Sequence, residues 1–434
     1  MKVYINRAIG LARSQTAKDT YILFFGNILS AVLGFIFTLI IARGLSVSDF
    51  GVFSAINNLV AILAAASEIG ISAGVVNFIS GFRAKGDTQG AEKYLKASLI
   101  LRLISASVLV LPAILFASFV ANRFLATDNP SASYWTSALT YGLVFWAFFP
   151  VALQASRRFY AAVVTDLSLG TTRVIVISLL LVTGGITLSR ALWAFAIGAV
   201  VLVIIGFILV RIRFLKARVS KDVFSKILRF SGWVGVNNLV SGISGRLDVT
   251  MLAALAGATA TGFYSISSRL AFFIAVLASS FSAVLATRLA SFSDKEAERK
   301  YILKALLATL PIILGIVVWI FIARPFITIL FGQKYLESVV IFKVLAAAMI
   351  PFIFATPAVS GIIYAVKKPI YIGIFGIIQL LGLLGLNLIL IPAFGSIGPA
   401  ISVSLVNTIL AIYAWAIIYK YYWKGAGEIS NINS

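Results

Sequence analysis

Eight charged residues lie inside apolar stretches that are long enough to cross a lipid bilayer. A charge in the hydrocarbon region is costly, so such residues are rare, face a protein interior and commonly carry a function. Five are cationic and three are anionic, which indicates a partly hydrated interior with net positive charge. This favours an anionic species as the molecule that enters it. The eight residues are Glu68, Arg102, Asp166, Arg173, Arg246, Asp248, Arg269 and Lys343.

Arg246 and Arg173 are the strongest candidates for contacts to an anion. The planar guanidinium group donates paired hydrogen bonds that match phosphate oxygens. Arg246 lies near the middle of the predicted seventh span, and Arg173 lies at a similar depth in the fifth. Arg269 and Lys343 lie nearer the outer ends of their spans, where they can extend toward water or form an outer cationic entrance. Arg102 is predicted to extend to the membrane surface in the same way.

The three acids have alternative roles. A buried carboxylate can bind H⁺ or Na⁺ and couple transport to a gradient, or it can neutralise an arginine. Asp248 stands two residues from Arg246, on a different face of a helix, so each needs a partner elsewhere. For Asp248 and Glu68 we favour a structural pairing. Asp166 lies toward the cytoplasmic end of its span, where hydration would also satisfy it.

The composition predicts a membrane protein. Hydrophobic residues make up 61% of the 434 residues and charged residues only 12%, which lies outside the range of soluble globular proteins. The apolar stretches are continuous rather than alternating, which favours spanning helices over a barrel. We predict an all-α polytopic protein with about twelve transmembrane helices. The predicted spans are 20–42, 50–80, 97–121, 134–156, 161–184, 190–210, 231–255, 262–290, 302–323, 338–364, 370–391 and 396–418.

The net charge of +22 follows the predicted topology and does not indicate a nucleic-acid partner. With both termini in the cytoplasm, the inside segments hold 26 of the 36 lysines and arginines, and the outside segments hold five. This bias obeys the positive-inside rule. The densest basic segment lies between residues 211 and 230. We therefore expect a multi-pass protein of a bacterial inner membrane.

The absence of some residue types excludes several kinds of chemistry. It contains no cysteine and no histidine, so thiol chemistry, imidazole bases and the usual transition-metal sites are not predicted. It also lacks a phosphate-binding nucleotide loop, and we predict no cofactor. The short outer loops hold only Asp49, Asp128 and Glu337, which argues against an enzyme. The first span is too long for the core of a cleavable signal peptide, so we expect it to be retained.

A weak internal repeat indicates two similar halves. At an offset of 211 residues, Asn27 aligns with Asn238 and Gly51 with Gly262. This register places the first two spans on the seventh and eighth. We predict an N-terminal six-helix bundle in residues 1–210, a basic cytoplasmic connector in 211–230 and a C-terminal six-helix bundle in 231–434. Substrate sites in proteins with such repeats commonly lie at the repeat interface.

Four short segments resemble a known family. The segment 42–51 (ARGLSVSDFG) is similar to the junction of the first two helices of bacterial oligosaccharide flippases of the Wzx type, which include O-antigen flippases. Glu68-Ile69-Gly70 is similar to the acid-x-Gly of that family's second helix. Two segments of the second half, 262–265 (GFYS) and 331–335 (FGQKY), resemble its eighth helix and a later connector. The resemblance covers essentially the full length.

The resemblance implies a fold like that of multidrug and toxin extrusion (MATE) proteins, with two six-helix bundles around a central cavity that alternate between inward- and outward-open forms. The implied substrate is an undecaprenyl-pyrophosphate-linked oligosaccharide repeat unit for O-antigen, lipopolysaccharide or other surface polysaccharide. The implied partners are membrane lipids, H⁺ or Na⁺, and polysaccharide assembly proteins. Arg246 and Arg173 would offset desolvation of the phosphates.

Other functions remain as alternatives. An H⁺- or Na⁺-coupled antiporter for organic cations would have the same fold, and Glu68 and Asp248 would serve it. A lipid II flippase would handle similar chemistry. A membrane enzyme that acts on lipid-linked sugars is a weaker alternative because the loops offer few acids and bases. A major-facilitator transporter would also have twelve helices, but the loop 81–87 lacks the acidic-basic signature of that family.

Overall fold

The chain is helical throughout the part that the computed structural model describes, which comprises residues 15–292 and 294–424. These residues form fifteen α-helices joined by short turns, which confirms the predicted all-α class. Three basic residues of the predicted cytoplasmic segment lie outside the described residues, namely Lys2, Arg7 and Arg13.

The chain divides into two compact units between Ile243 and Ser244. The predicted connector 211–230 therefore belongs to the N-terminal unit, where it forms a short 3-10 helix (Ile212–Lys216) and the start of a long helix. The helices of the N-terminal unit are α1 (Gln15–Gly44), α2 (Val47–Glu68), α3 (Ile71–Ala84), α4 (Thr88–Leu115), α5 (Ala117–Phe124), α6 (Ser131–Ala155), α7 (Phe159–Gly184), α8 (Leu188–Val210) and α9 (Lys221–Ser244).

The C-terminal unit contains the remaining helices and two short π-helical segments, Ile362–Val366 and Lys420–Lys424. Two 3-10 turns, Gln333–Tyr335 and Gly395–Ile397, separate consecutive helices. The α-helices of this unit are α10 (Leu247–Leu289), α11 (Lys295–Ala308), α12 (Leu310–Phe331), α13 (Glu337–Gly361), α14 (Pro369–Phe394) and α15 (Gly398–Tyr419).

Ten stretches among the described residues are long and apolar enough to cross a membrane. The longest, Ile370–Trp423, is interrupted by the turn at Gly395–Ile397 and accommodates two spans. The predicted seventh span corresponds to α9 together with the beginning of α10. Large apolar side chains such as Phe25 (65% exposed) and Val182 (86% exposed) lie on the outside of these helices, as expected for surfaces that face lipid.

Four predicted spans are each broken into two helices, and the breaks in 97–121 and 302–323 lie at Phe116 and Thr309. The second span, predicted as continuous over 50–80, breaks where Ile69 and Gly70 adopt left-handed backbone conformations with φ of 42° and 71°. The seventh, predicted as continuous over 231–255, breaks at Gly245 and Arg246. The left-handed conformation is accessible to Gly70 at no steric cost, and the low helix propensity of glycine also favours the break at Gly245.

Each unit has its own core. In the N-terminal unit, Phe148 and Phe149 of α6 pack against Phe214 of the connector, which is only 1% exposed. In the C-terminal unit, Leu285 of α10 packs with Ile302 and Ile418. Because the 3-10 helix of the connector is anchored by a fully buried aromatic ring, the predicted basic connector is an ordered part of the N-terminal core.

Candidate functional site

The break in the seventh span positions Arg246. Helix α9 ends at Ser244, and α10 begins at Leu247 with Arg246 as its N-cap residue. The Arg246 carbonyl oxygen accepts from the Thr250 backbone nitrogen at 3.3 Å and from the Thr250 hydroxyl at 3.1 Å, while its side chain is exposed. A helix N-terminus carries partial positive charge. The guanidinium and the helix end therefore both favour an anion at this position.

Asp248 is held by a tyrosine from farther along the same helix. Gly257, with φ of 81°, is non-helical and divides α10 into two segments. The second segment brings Tyr264 back to Asp248, and the Tyr264 hydroxyl donates a hydrogen bond to the Asp248 carboxylate. The other carboxylate oxygen accepts from the Val249 backbone nitrogen at 2.8 Å. Asp248 thus fixes the fold of α10 at this point.

Arg269 lies close enough to Arg246 for the two charges to interact, and its side chain is exposed. The Arg246 charge also interacts with that of Asp248. The structure therefore brings together three of the predicted charged residues within the C-terminal unit. These three residues comprise two guanidinium groups and one carboxylate, which a tyrosine already engages, so their summed charge is positive.

Lys343 lies on a neighbouring helix at a similar level to Arg269. The Ser267 hydroxyl donates to the Ser338 carbonyl oxygen at 2.8 Å, and the Ser338 hydroxyl donates to the Phe263 carbonyl oxygen at 2.9 Å. These bonds join α10 and α13 shortly before Arg269 and Lys343, and Lys343 is exposed.

Arg173 is in the N-terminal unit and stacks on aromatic rings. Its guanidinium carbon lies 3.4 Å from the centroid of the Phe195 ring and 5.6 Å from that of Phe37. Gly198 makes room for the side chain, because a methyl group there would lie 2.8 Å from Arg173 Cγ. Such stacking is a favourable cation–π arrangement. Packing between α1, α7 and α8 therefore accounts for much of the position of Arg173.

Glu68 forms an ion pair with Arg102. Arg102 Nη2 lies 3.3 Å from the Glu68 carboxylate and 2.6 Å from the Ser72 hydroxyl. The Glu68 carboxylate also accepts from the backbone nitrogens of Gly70 at 3.0 Å and Ser72 at 2.5 Å. Arg102 is only 1% exposed. The prediction that Arg102 extends to the membrane surface is therefore wrong, because Glu68 compensates its charge inside the unit.

Asp166 lines a cavity of about 290 Å³ within the N-terminal unit. Its carboxylate accepts a hydrogen bond of 2.6 Å from the indole nitrogen of Trp146. Asn27, Gln154 and Ser72 also line this cavity, together with apolar residues of α1, α6 and α7. Since the Ser72 hydroxyl contacts Arg102, a short polar path links the cavity to the buried ion pair.

A second cavity of about 340 Å³ lies elsewhere in the N-terminal unit and has neutral walls. Trp135, Asn129 and Ser189 are among its lining residues. It offers hydrogen bonds and an aromatic surface but no charged side chain, so it supplies no cationic partner for an anion. No three Asp, Glu, His or Cys side chains in the described part of the chain come together in a way that could hold a metal ion.

Sequence reasoning missed the partners of the predicted charges. Tyr264, Trp146 and Phe195 each hold one of them through contacts between residues that are distant in sequence. The predicted spans 231–255 and 262–290 already implied that the chain reverses between them, which is where the non-helical Gly257 lies. The remaining partners depend on helix packing, which a single sequence does not reveal.

Comparisons with known proteins agree with this architecture. A family model described as "Polysaccharide biosynthesis protein" matches residues 16–287, which is more than half of the chain. A "probable low-salt glycan biosynthesis flippase Agl15" from Haloferax volcanii is 23% identical over 415 residues, covering 91% of this chain and 82% of the relative.

Two solved structures show the fold. An inward-facing multidrug resistance transporter of the MATE family superimposes with a TM-score of 0.72 at 16% identity, covering 93% of this chain and 95% of the other. The lipid II flippase MurJ, in an inward closed conformation, superimposes with a TM-score of 0.71 at 18% identity, covering 91% and 87%. The all-α, MATE-like membrane fold expected from the resemblance is confirmed. Because the family model matches residues 16–287, more than half of the chain, the chain belongs to the polysaccharide biosynthesis protein family.

Proposed function

We propose that this transporter, which belongs to a flippase family and is not an enzyme, carries an undecaprenyl-pyrophosphate-linked oligosaccharide repeat unit across a bacterial inner membrane. The lipid-linked unit moves from the cytoplasmic to the periplasmic leaflet for O-antigen or another surface polysaccharide. Both termini lie in the cytoplasm, and the bundles 1–210 and 231–434 alternate between inward- and outward-open forms. The relative named as a glycan biosynthesis flippase supports a glycan substrate.

The observation that carries this proposal is that the exposed Arg246 is the N-cap residue of α10, with the charge of Arg269 near enough to interact with it. Two like charges repel one another, and an anion that lies between or beside them offsets this repulsion. Pyrophosphate offers several oxygens, and two guanidinium forks can engage them with paired hydrogen bonds. The adjacent N-terminus of α10 adds partial positive charge.

The remaining predicted residues have secondary roles in this proposal. Lys343 extends the cationic surface along α13 toward the outer end of the unit. Arg173 stays a candidate for a second anion contact. That contact would use the edge of its guanidinium that the two aromatic rings do not cover. Glu68 and Asp166 stay candidates for H⁺ or Na⁺ coupling, and Glu68 also neutralises Arg102.

Translocation in proteoliposomes tests the proposal. The labelled lipid-linked oligosaccharide is incorporated, and its arrival in the opposite leaflet is measured for wild type, Arg246→Gln and Arg269→Gln. Loss of a charge-assisted contact to phosphate is expected to reduce the rate by about tenfold or more. Arg324→Gln is the matched control, because Arg324 is an exposed arginine of the same unit outside this group.

Two results would contradict the proposal. One is a wild-type protein that does not move the lipid. The other is a pair of variants that reconstitute normally and move it at the rate of the Arg324→Gln control. Correct folding of the variants is checked by their elution and thermal unfolding before reconstitution.

A second candidate function is an antiporter for organic cations. The observation that favours it is the cavity of about 290 Å³ in which Asp166 is bonded to Trp146. A carboxylate beside an aromatic ring is a common way to bind an organic cation. In this case the protein would exchange such a cation against H⁺ or Na⁺, and Asp166→Asn would abolish exchange while Arg246→Gln would leave it intact. The opposite pattern in the same liposomes would exclude the antiporter.

A further inference from the structure

Three arginines from separate turns meet at one end of the N-terminal unit. Arg83 lies in the last turn of α3, Arg158 is the N-cap residue of α7 and Arg211 is the C-cap residue of α8. All three side chains are exposed. The positive-inside rule accounts for basic residues on this side of a membrane, but it does not require residues from three distant segments to converge.

Specific contacts hold these turns together. Arg158 Nη1 donates to the Leu209 carbonyl oxygen at 2.5 Å, which ties the start of α7 to the end of α8. Lys96 Nζ donates to the Ala217 carbonyl oxygen at 2.9 Å, so the chain that follows Arg211 is fixed on α4. Helix α3 packs on the same helix through Phe82, whose ring centroid lies 5.1 Å from that of Tyr94.

The charges of the three arginines are only partly compensated. Partial desolvation and the nearby charge of Arg158 lower the pKa of Arg83, the Glu92 carboxylate offsets part of this effect, and Arg211 adds to it. The same carboxylate lies 3.8 Å from Arg213, which is 81% exposed. Glu92 is therefore shared among several cations, and the convergence of the three guanidinium groups leaves an excess of positive charge.

The backbone at this end adopts conformations that residues other than glycine rarely occupy. Arg157 has φ of 55°, and Arg211 has φ of 70°. Positive φ at a residue with a side chain is uncommon and persists where the surrounding structure imposes it, often at binding sites. Two of the three turns that present the arginines thus contain such a residue.

We propose that Arg83, Arg158 and Arg211 form a binding site for a phosphate or pyrophosphate group at this end of the N-terminal unit. Guanidinium forks from three directions match the several oxygens of such a group. The group is either the headgroup phosphate of an anionic membrane lipid or a diphosphate that reaches the site from water. This site consists of different residues from the group around Arg246 and does not depend on the proposed function.

Binding to the full-length protein in nanodiscs tests the site. In nanodiscs of phosphatidylcholine alone, inorganic pyrophosphate is titrated and its affinity measured by calorimetry. In nanodiscs that also contain phosphatidylglycerol, the number of anionic lipids retained by the protein is counted by native mass spectrometry. The variants are Arg83→Gln, Arg158→Gln and Arg211→Gln, and the control is Arg213→Gln, which removes a neighbouring cation outside the three.

We expect about tenfold weaker pyrophosphate binding, or loss of a retained lipid, in each of the three variants and not in Arg213→Gln. An effect in the pyrophosphate arm identifies a water-borne diphosphate as a ligand, and an effect in the lipid arm identifies a headgroup. Because Arg158 also ties two helices together, Arg83→Gln and Arg211→Gln carry the test if Arg158→Gln unfolds. Equal binding by all four variants in both arms, or an equal loss in all four, would overturn the proposal.

Discussion

The guanidinium of Arg102 lies 3.3 Å from the carboxylate of Glu68, so two charges on different predicted spans form an ion pair inside the N-terminal unit. Arg102 is 1% exposed and Glu68 15%. The same carboxylate accepts hydrogen bonds from the backbone nitrogens of Gly70 and Ser72 at the start of α3. Glu68 therefore both neutralises the arginine and stabilises the break between α2 and α3.

Removing one partner of this pair is expected to destabilise the protein strongly. Arg102→Met or Glu68→Gln alone leaves a buried charge uncompensated, which costs about 3–5 kcal/mol in comparable buried pairs. The double variant leaves neither charge and should unfold at a higher temperature than either single variant. The measurement is the thermal unfolding midpoint in detergent.

Arg213→Gln is the control for this experiment, because the Arg213–Glu92 pair is exposed and such pairs contribute about 0–1 kcal/mol. If the single variants at Glu68 and Arg102 have the same thermal unfolding midpoint as this control, the buried pair does not stabilise the fold.

The close contact between the α2–α3 break and α9 gives a second prediction. A methyl group at Gly70 would lie 2.6 Å from the Ser231 carbonyl oxygen and 2.6 Å from the Gly235 backbone nitrogen, and φ at Gly70 is 71°. Gly70→Ala must therefore displace backbone and strain φ, and we expect a large loss of stability or of folded yield. The readout is the fraction of monodisperse protein after purification.

Gly232→Ala on α9 is the matched substitution, since nothing lies within 4 Å of its added methyl group. It should be neutral or should stabilise the helix by about 0.5–1 kcal/mol. If both alanine variants behave alike, the contact at Gly70 is not as tight as the structure indicates.

The hydrogen bond from Tyr264 to Asp248 gives a third prediction. Tyr264 is fully buried, and its hydroxyl satisfies one oxygen of the carboxylate. Tyr264→Phe should destabilise the protein by about 1.5–3 kcal/mol, the contribution of a hydrogen bond to a charged group. The thermal midpoint should fall, and the fall should vanish in an Asp248→Ala background, which lacks the acceptor, if the two residues act only through each other.

Tyr141→Phe provides the comparison, because the Tyr141 hydroxyl bonds the Ser107 hydroxyl at 2.9 Å in an exposed position. A hydrogen bond between two neutral hydroxyls contributes about 0.5–1.5 kcal/mol, so a smaller change is expected. A Tyr264→Phe protein as stable as Tyr141→Phe would mean that Asp248 finds another donor.

The helices were predictable from the sequence because each apolar stretch is continuous and the basic residues cluster between stretches. The breaks were not, since the one at Gly70 depends on Ser231 and Gly235 of a helix more than a hundred residues later. The partners of the buried charges were also hidden. Asp248 meets Tyr264 only because Gly257 folds α10 back, and Arg102 meets Glu68 only because α4 packs beside the end of α2.

Arg173 distinguishes a structural role from contact with an anion. Its guanidinium carbon lies 3.4 Å from the centroid of the Phe195 ring, an arrangement that uses the planar group and that lysine cannot reproduce. If stacking is its main role, Arg173→Lys should lower the thermal midpoint by an amount similar to Phe195→Leu, each corresponding to about 1–2 kcal/mol. The lysine variant would still move the lipid-linked oligosaccharide once it is reconstituted. If Arg173 instead contacts the transported anion, Arg173→Lys should remain as stable as wild type and translocate more slowly, while Phe195→Leu alone is destabilised. Measuring unfolding and translocation on the same two preparations therefore separates the two roles.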